Sequence, residues 1–151
     1  MRPQSIVRFE QAYLASIALW ALGLVLNWNI RLSAIERDPR FAGNPQMIQF
    51  AEWMMIGSAA LGFALWILLW YLAARRGVAG VKWVLVAFLA ISAISIPFTL
   101  MNAAVIGTIG TVLSVGAFLL NAFAVAMLFR PDATAWLSGK PSSETTAEPF
   151  E

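Results

Sequence analysis

Residues 83–129 read WVLVAFLAISAISIPFTLMNAAVIGTIGTVLSVGAFLLNAFAVAMLF. None of these 47 residues is Asp, Glu, Lys or Arg. A soluble domain carries about 25% charge, and a surface helix within it keeps a polar face toward water. This stretch has no such face. In hydrocarbon the demand reverses, and a spanning helix needs about 20 mostly apolar residues. The stretch therefore divides into two spans joined by a tight hairpin, with Pro97, Asn102 and Gly107 marking its middle.

The rest of the chain agrees. Of its 151 residues, 60% are hydrophobic and 12% charged, and the mean hydropathy is +0.75. Two further segments are long and apolar enough to span, which predicts an all-α, polytopic membrane protein with four transmembrane helices. The spans are expected at about 11–30, 50–74, 82–101 and 105–129, within a transmembrane domain covering 1–130. Asn44-Pro45 reads as an N-cap followed by Pro at the first helical position, so the second span can start before the membrane. The first span is too long for a signal peptide, and no small-x-small cleavage site follows it, so it is read as uncleaved. After Pro131, residues Ala133, Trp136 and Leu137 share a face, which predicts a short interfacial helix over 131–139. The remainder, 140–151, is polar and acidic with no apolar period, and is expected to be disordered. The segment 31–49 is read as the single sizeable loop.

Basic residues set the orientation. Arg2, Arg8, Arg75, Arg76, Lys82, Arg130 and Lys140 fall on one side; Arg31, Arg37 and Arg40 fall on the other. Seven against three places both termini in the cytoplasm. Tyr13, Trp70, Tyr71 and Trp83 fall at the inner boundary, and Trp28 and Trp53 at the outer one. Trp20 and Trp66 sit mid-span, where an interfacial role does not account for them.

Composition narrows the chemistry. The chain has no Cys and no His, so disulfide scaffolds, thiol relays, Cys-ligated metals and histidine bases are excluded. A net charge of +2 gives no reason to expect a nucleic-acid partner. No catalytic, cofactor or metal site is expected, and the bilayer is the one certain environment. Three polar side chains within or beside the spans merit attention. Glu10 and Glu52 begin the first and second spans; intramembrane carboxylates are often functional, but boundary ones pair with nearby cations. For Glu10 the cations are Arg75, Arg76 or Lys82; for Glu52 the cation is Arg31. Asn121 lies within the fourth span, where an inward Asn commonly bonds across a helix interface. Ser92 and Ser95 are expected to bond carbonyls of their own helix near Pro97. Ser58 and Gly62, Gly107 and Thr111, and Gly110 and Ser114 form small-x-x-x-small pairs, extended by Gly116. These predict packing faces within the bundle or between protomers.

Two motifs carry a resemblance: Arg2-Pro3-Gln4-Ser5-Ile6-Val7-Arg8-Phe9-Glu10-Gln11-Ala12-Tyr13-Leu14, and Leu128-Phe129-Arg130-Pro131-Asp132-Ala133-Thr134-Ala135-Trp136. With four spans in this length, they resemble a set of small, uncharacterised bacterial inner-membrane proteins. That resemblance implies the inner membrane and no particular activity. Ile6, Phe9 and Tyr13 share a helical face, so the two motifs are expected to pack together. The size and topology also match small multidrug transporters, but the glutamate of that pattern lies well inside the membrane and Glu10 lies at its edge. Four-helix quinone-linked enzymes of disulfide formation need cysteines. The expected function is a non-enzymatic accessory, scaffold or assembly component, with a membrane-protein partner or a second copy of the chain. The alternative is a small proton- or cation-coupled transporter or channel acting as an oligomer.

Overall fold

The computed structural model describes residues 3–41, 43–103 and 107–138. The described chain is all-helical: α1 (Gln4–Leu26), α2 (Trp28–Arg37), α3 (Pro45–Ala74), α4 (Val81–Met101), α5 (Thr108–Met127) and α6 (Pro131–Leu137). Four of these, α1, α3, α4 and α5, are long and apolar enough to cross a membrane.

Helix boundaries follow local chemistry. α1 starts at Gln4, seven residues before the expected edge, because Ile6, Phe9 and Tyr13 form a buried face from its first turn. It stops at Asn27, whose backbone N–H and side-chain amide both donate to the Gly23 carbonyl, at 3.1 and 2.8 Å. These bonds occupy a carbonyl left over at the helix end. The expected loop over 31–49 is a correction: α2 continues to Arg37 and α3 begins at Pro45. Only a short turn remains, in which the Arg40 guanidinium and backbone N–H donate to Asp38. Asn44 caps α3 by accepting from the Gln46 and Met47 N–H groups, with Pro45 inside the first turn. α3 has 30 residues. At about 1.5 Å per residue it is longer than the roughly 30 Å hydrocarbon core. The hairpin turns through Gly107, whose φ of +83° favours glycine. The expected tail over 140–151 lies outside the described residues.

α1 and α5 form the most extensive helix pair. They run antiparallel: Gly23 faces Leu113, and Leu19 faces Gly116. α4 packs on α5, and α3 on α1, over smaller areas.

The core is confined to one end. Ile6, Phe9 and Tyr13 of α1 meet Leu69 and Ala73 of α3 and Leu85 of α4. Ala124 and Leu128 at the end of α5, with Ala133 and Leu137 of α6, complete it. Toward the other end the helices bury much less surface. In the most apolar 18-residue windows of α3 and α4, only 6% of residues are buried. The bundle is thus closed where the two sequence motifs lie and open beyond.

Candidate functional site

The closed end is fastened by a contact between those motifs. The Ser5 hydroxyl donates to the Asp132 carboxylate at 2.6 Å, and the Ser5 N–H donates to it at 3.2 Å. α1 has no side-chain cap of its own. Asp132, in the first turn of α6, therefore supplies a cap to α1 from 127 residues away in sequence. Bonds from the Ser5 hydroxyl favour the charged carboxylate and hold its pKa below the usual carboxylate range, against partial desolvation. Beside this contact, Gly77 lets the α3–α4 turn lie against Trp136. Its φ is +61°, and an added Cβ would sit 3.2 Å from the Trp136 carbonyl oxygen and 3.3 Å from its Nε1. The expected packing of the two motifs is observed.

Cations surround the same end. Glu10 pairs with Arg75 at 3.5 Å, one of the three expected partners. The Arg75 guanidinium also lies 5.7 Å from the Trp70 ring centre, and Arg76 lies 5.8 Å from that of Tyr71. Lys82 lies between Trp83 and Phe129, 5.6 and 5.7 Å from their ring centres. Charged tips over aromatic rings at helix ends are the arrangement that long basic side chains adopt at a membrane surface. At the other end, Glu52 forms no ion pair with Arg31. That expected pairing is a correction, because α2 carries Arg31 on a helical face instead of a loose loop.

Between the ends lies a cavity of about 270 Å³ bounded by α1, α4 and α5, with Trp66 from α3. Its polar lining is Ser16, Ser92, Ser95, Ser114 and Asn121, with the hydroxyl-bearing Tyr13 and the indoles of Trp20 and Trp66; no charged residue lines it among the described residues. Each serine uses its proton on its own helix. Ser16 donates to the Tyr13 carbonyl at 2.7 Å, and Ser114 to that of Gly110 at 2.8 Å. Ser92 donates to Phe88 at 2.8 Å and Ser95 to Ile91 at 3.1 Å. The expectation for Ser92 and Ser95 is met. The serine oxygens keep lone pairs for another donor. Asn121 departs from expectation: its Oδ1 is buried and has no hydrogen-bond partner. An unpaired buried amide oxygen costs roughly 1–3 kcal/mol. Trp20 closes one wall and stacks edge-on against Trp66 and Phe63, both with ring centres 4.8 Å away. This cluster accounts for the two mid-span tryptophans.

A second cavity, of about 370 Å³, shares Trp20 and Ser114 with the first. It extends along α1 past Leu24 and Asn27 to Arg31. Glu10 and Glu52 line neither cavity.

No family model, curated protein or solved structure matches the chain.

The small residues serve different ends. Gly110 is buried, and Gly116 lies where a Cβ would be 3.5 Å from Leu19, which places Gly116 in the α1–α5 contact. Ser114 lines both cavities. Gly107 serves the turn, and Thr111 donates to its carbonyl at 3.0 Å. Ser58 is exposed and bonds the Met55 carbonyl. A Cβ on Gly62 would meet nothing within 4 Å. Among the described residues, neither Ser58 nor Gly62 takes part in a close helix contact.

Sequence reasoning missed the hydrogen bonds between Ser5 and Asp132, and missed Gly23 and Ser16. The last had a readable signal, since Tyr13, Ser16 and Trp20 recur at helical spacing on α1.

Proposed function

We propose that the chain is a non-enzymatic membrane accessory or assembly component that docks another transmembrane helix on α3. One observation carries this reading. Phe50, Met54, Gly57, Leu61, Ala64 and Leu68 alternate spacings of four and three residues, and all six are exposed. That is the period of a helix–helix seam. Lipid tails are as apolar as leucine, so helices associate in a bilayer by close packing, which small residues permit. Gly57, like Gly62, has nothing within 4 Å of an added Cβ. The occupant is a helix of another membrane protein or of a second copy.

The test is purification of the tagged full chain in mild detergent at native expression. The expected result is a stoichiometric membrane-protein partner or a dimer, lost in Gly57→Leu. A chain that runs alone as a monomer contradicts the reading. The bacterial inner membrane, with both termini cytoplasmic, belongs to the same proposal. The seven-to-three count of basic residues supports the orientation, and the motif resemblance supports the membrane. α6 is read as lying along the cytoplasmic surface.

The cavity favours a second reading, a small coupled transporter or channel with Asn121 on its path. Glu10 and Glu52 stand away from that cavity, so flux in proteoliposomes is expected to survive Glu10→Gln and Glu52→Gln and to fall in Asn121→Leu. Absence of flux in the unmodified chain removes this reading.

A further inference from the structure

We propose that the second cavity, at the open end of the bundle, holds one acyl chain of an anionic lipid whose head rests on Arg31. Its volume of about 370 Å³ lies within the range of ligand sites. Its walls come from α1, α2, α4 and α5, and Leu19, Leu24, Ile30 and Leu113 make much of them apolar. Its polar groups are mixed. Asn27 donates to the Gly23 carbonyl at 2.8 Å, Thr99 to that of Ser95 at 3.1 Å and Ser114 to that of Gly110 at 2.8 Å. With the Trp20 indole, these neutral groups offer both donors and acceptors, and they select no class of ligand. Charge does. Arg31 is the one charged residue among the described lining residues, and no Asp or Glu is among them. Among the described residues, Arg31 forms no ion pair. A guanidinium stays charged and presents a planar fork of donors that matches a carboxylate or a phosphate. An anionic head pairs with this lining, an ammonium head meets repulsion, and a neutral head leaves the cation unpaired.

Position makes the ligand an amphiphile. α1 is long and apolar enough to span. It ends at Leu26, and Arg31 follows in α2. A long basic side chain just past the end of a span reaches the level of lipid heads. The mouth is open there, since Arg31 and Ala34 are exposed and Ile30 is 43% exposed. From Asn27 back to Leu19 the lining follows α1 inward, a path of about 12 Å at about 1.5 Å per residue. A chain on that path covers Leu24, Leu19 and Leu113 while its head stays at Arg31. α3 contributes no described lining residue, so the proposal stands or falls apart from the α3 seam. Both the phosphodiester of a phospholipid and the carboxylate of a free fatty acid supply such a head; the shared chemistry is an anion on an acyl chain.

The test places the full chain in phosphatidylcholine nanodiscs, with empty nanodiscs as reference, and measures retention of radiolabelled tetradecyl phosphate by equilibrium dialysis. Tetradecanol and tetradecyltrimethylammonium carry the same chain with a neutral and a cationic head. Saturable retention of the phosphate above empty discs is expected, about fivefold tighter than the alcohol, the scale of one partly exposed ion pair. The ammonium probe is expected to be weaker still. Arg31→Gln is expected to remove the advantage of the phosphate. Arg37→Gln, the same change of charge on α2 at a residue lining neither cavity, is expected to leave it. Leu24→Trp, with helicity checked by circular dichroism, fills the apolar path and is expected to weaken the phosphate and the alcohol alike. Unlabelled dimyristoylphosphatidylglycerol and myristate then compete, and whichever displaces the label identifies the source. Equal partitioning of the phosphate into loaded and empty discs overturns the proposal. So does ammonium retention as tight as phosphate retention, a comparison that needs no variant. An unchanged preference in Arg31→Gln, or an equal loss in Arg37→Gln, removes Arg31 as the head site and overturns it too. Unchanged retention in a folded Leu24→Trp chain puts the ligand elsewhere and overturns the cavity as its place. Displacement by neither competitor overturns an acyl lipid as the occupant.

Discussion

Removing the Asp132 carboxylate is expected to unfasten α1 from α6, and the structure sets the size of the effect. Asp132 accepts the Ser5 hydroxyl at 2.6 Å and the Ser5 N–H at 3.2 Å. A hydrogen bond to a charged group contributes about 1.5–3 kcal/mol when well shielded. This carboxylate is only partly buried, so water replaces some of that, and the loss of a helix cap, about 1 kcal/mol, is the better guide. Asp132→Ala should cost about 1–2 kcal/mol, and Ser5→Ala about 0.5–1 kcal/mol, since the backbone bond survives. The double variant should fall short of the sum by about 0.5–1 kcal/mol, because both changes remove the same hydroxyl–carboxylate bond. Reversible unfolding in mixed micelles with rising dodecyl sulfate measures all four chains. The pH dependence gives an independent check. Because the folded carboxyl has a lowered pKa, its contribution is complete above the ordinary carboxylate range. It disappears as pH falls through the folded value, in the region below about pH 4. Wild type should therefore converge on Asp132→Ala there. Additivity within about 0.3 kcal/mol, or a difference constant across that window, would refute the reasoning.

Three further outcomes follow from single positions. Gly77→Ala should cost about 1–2 kcal/mol, because its φ of +61° is left-handed and its Cβ would crowd Trp136; the same unfolding assay reads the cost. Gly116→Ala should change stability by under about 0.5 kcal/mol, since a Cβ there is in ordinary contact with Leu19. Gly116→Leu should cost about 1–3 kcal/mol by forcing α1 from α5. In the exposed turn after α2, the Arg40 hydrogen bonds lower the Asp38 pKa to about 2. Carboxyl NMR should show that value rise toward the ordinary range in Arg40→Ala while staying below it, because the backbone N–H at position 40 still donates to Asp38, with no change in the unfolding midpoint.

The four spans were legible because hydrocarbon imposes one simple requirement, and the charge-free run over 83–129 meets it twice. The start of α1 ahead of the span edge at 11 was legible in the shared face of Ile6, Phe9 and Tyr13, but its burial was not. Gln4, Arg8 and Gln11 look like a polar arm, yet Ile6 and Phe9 between them are fully buried against α5 and α6. α2 was read as loop because of its charged residues Arg31, Glu36 and Arg37, yet Trp28, Leu32 and Ile35 recur at helical spacing and form its half-buried face. Among the candidate residues, Glu10 found its expected cation because both lie at helix ends fixed by the spans. Asn121 was recognised as isolated, but its missing partner depends on how far α4 stands from α1. No pattern within one helix reports that distance. The Ser5–Asp132 contact joins residues 127 apart in sequence and is invisible to any local reading.

The central claim is that the uncovered seam of α3 is a contact surface for another helix. The chain contains no cysteine, so single cysteines introduced along α3 can be oxidatively cross-linked in native membranes without background. Cross-linking is predicted to peak at Phe50→Cys, Met54→Cys, Gly57→Cys, Leu61→Cys, Ala64→Cys and Leu68→Cys, with troughs between, to a partner or to a second copy. Uniformly absent cross-linking, with equal labelling by a lipid-soluble reagent around the exposed surface of α3, would show that only lipid covers it and would contradict the account.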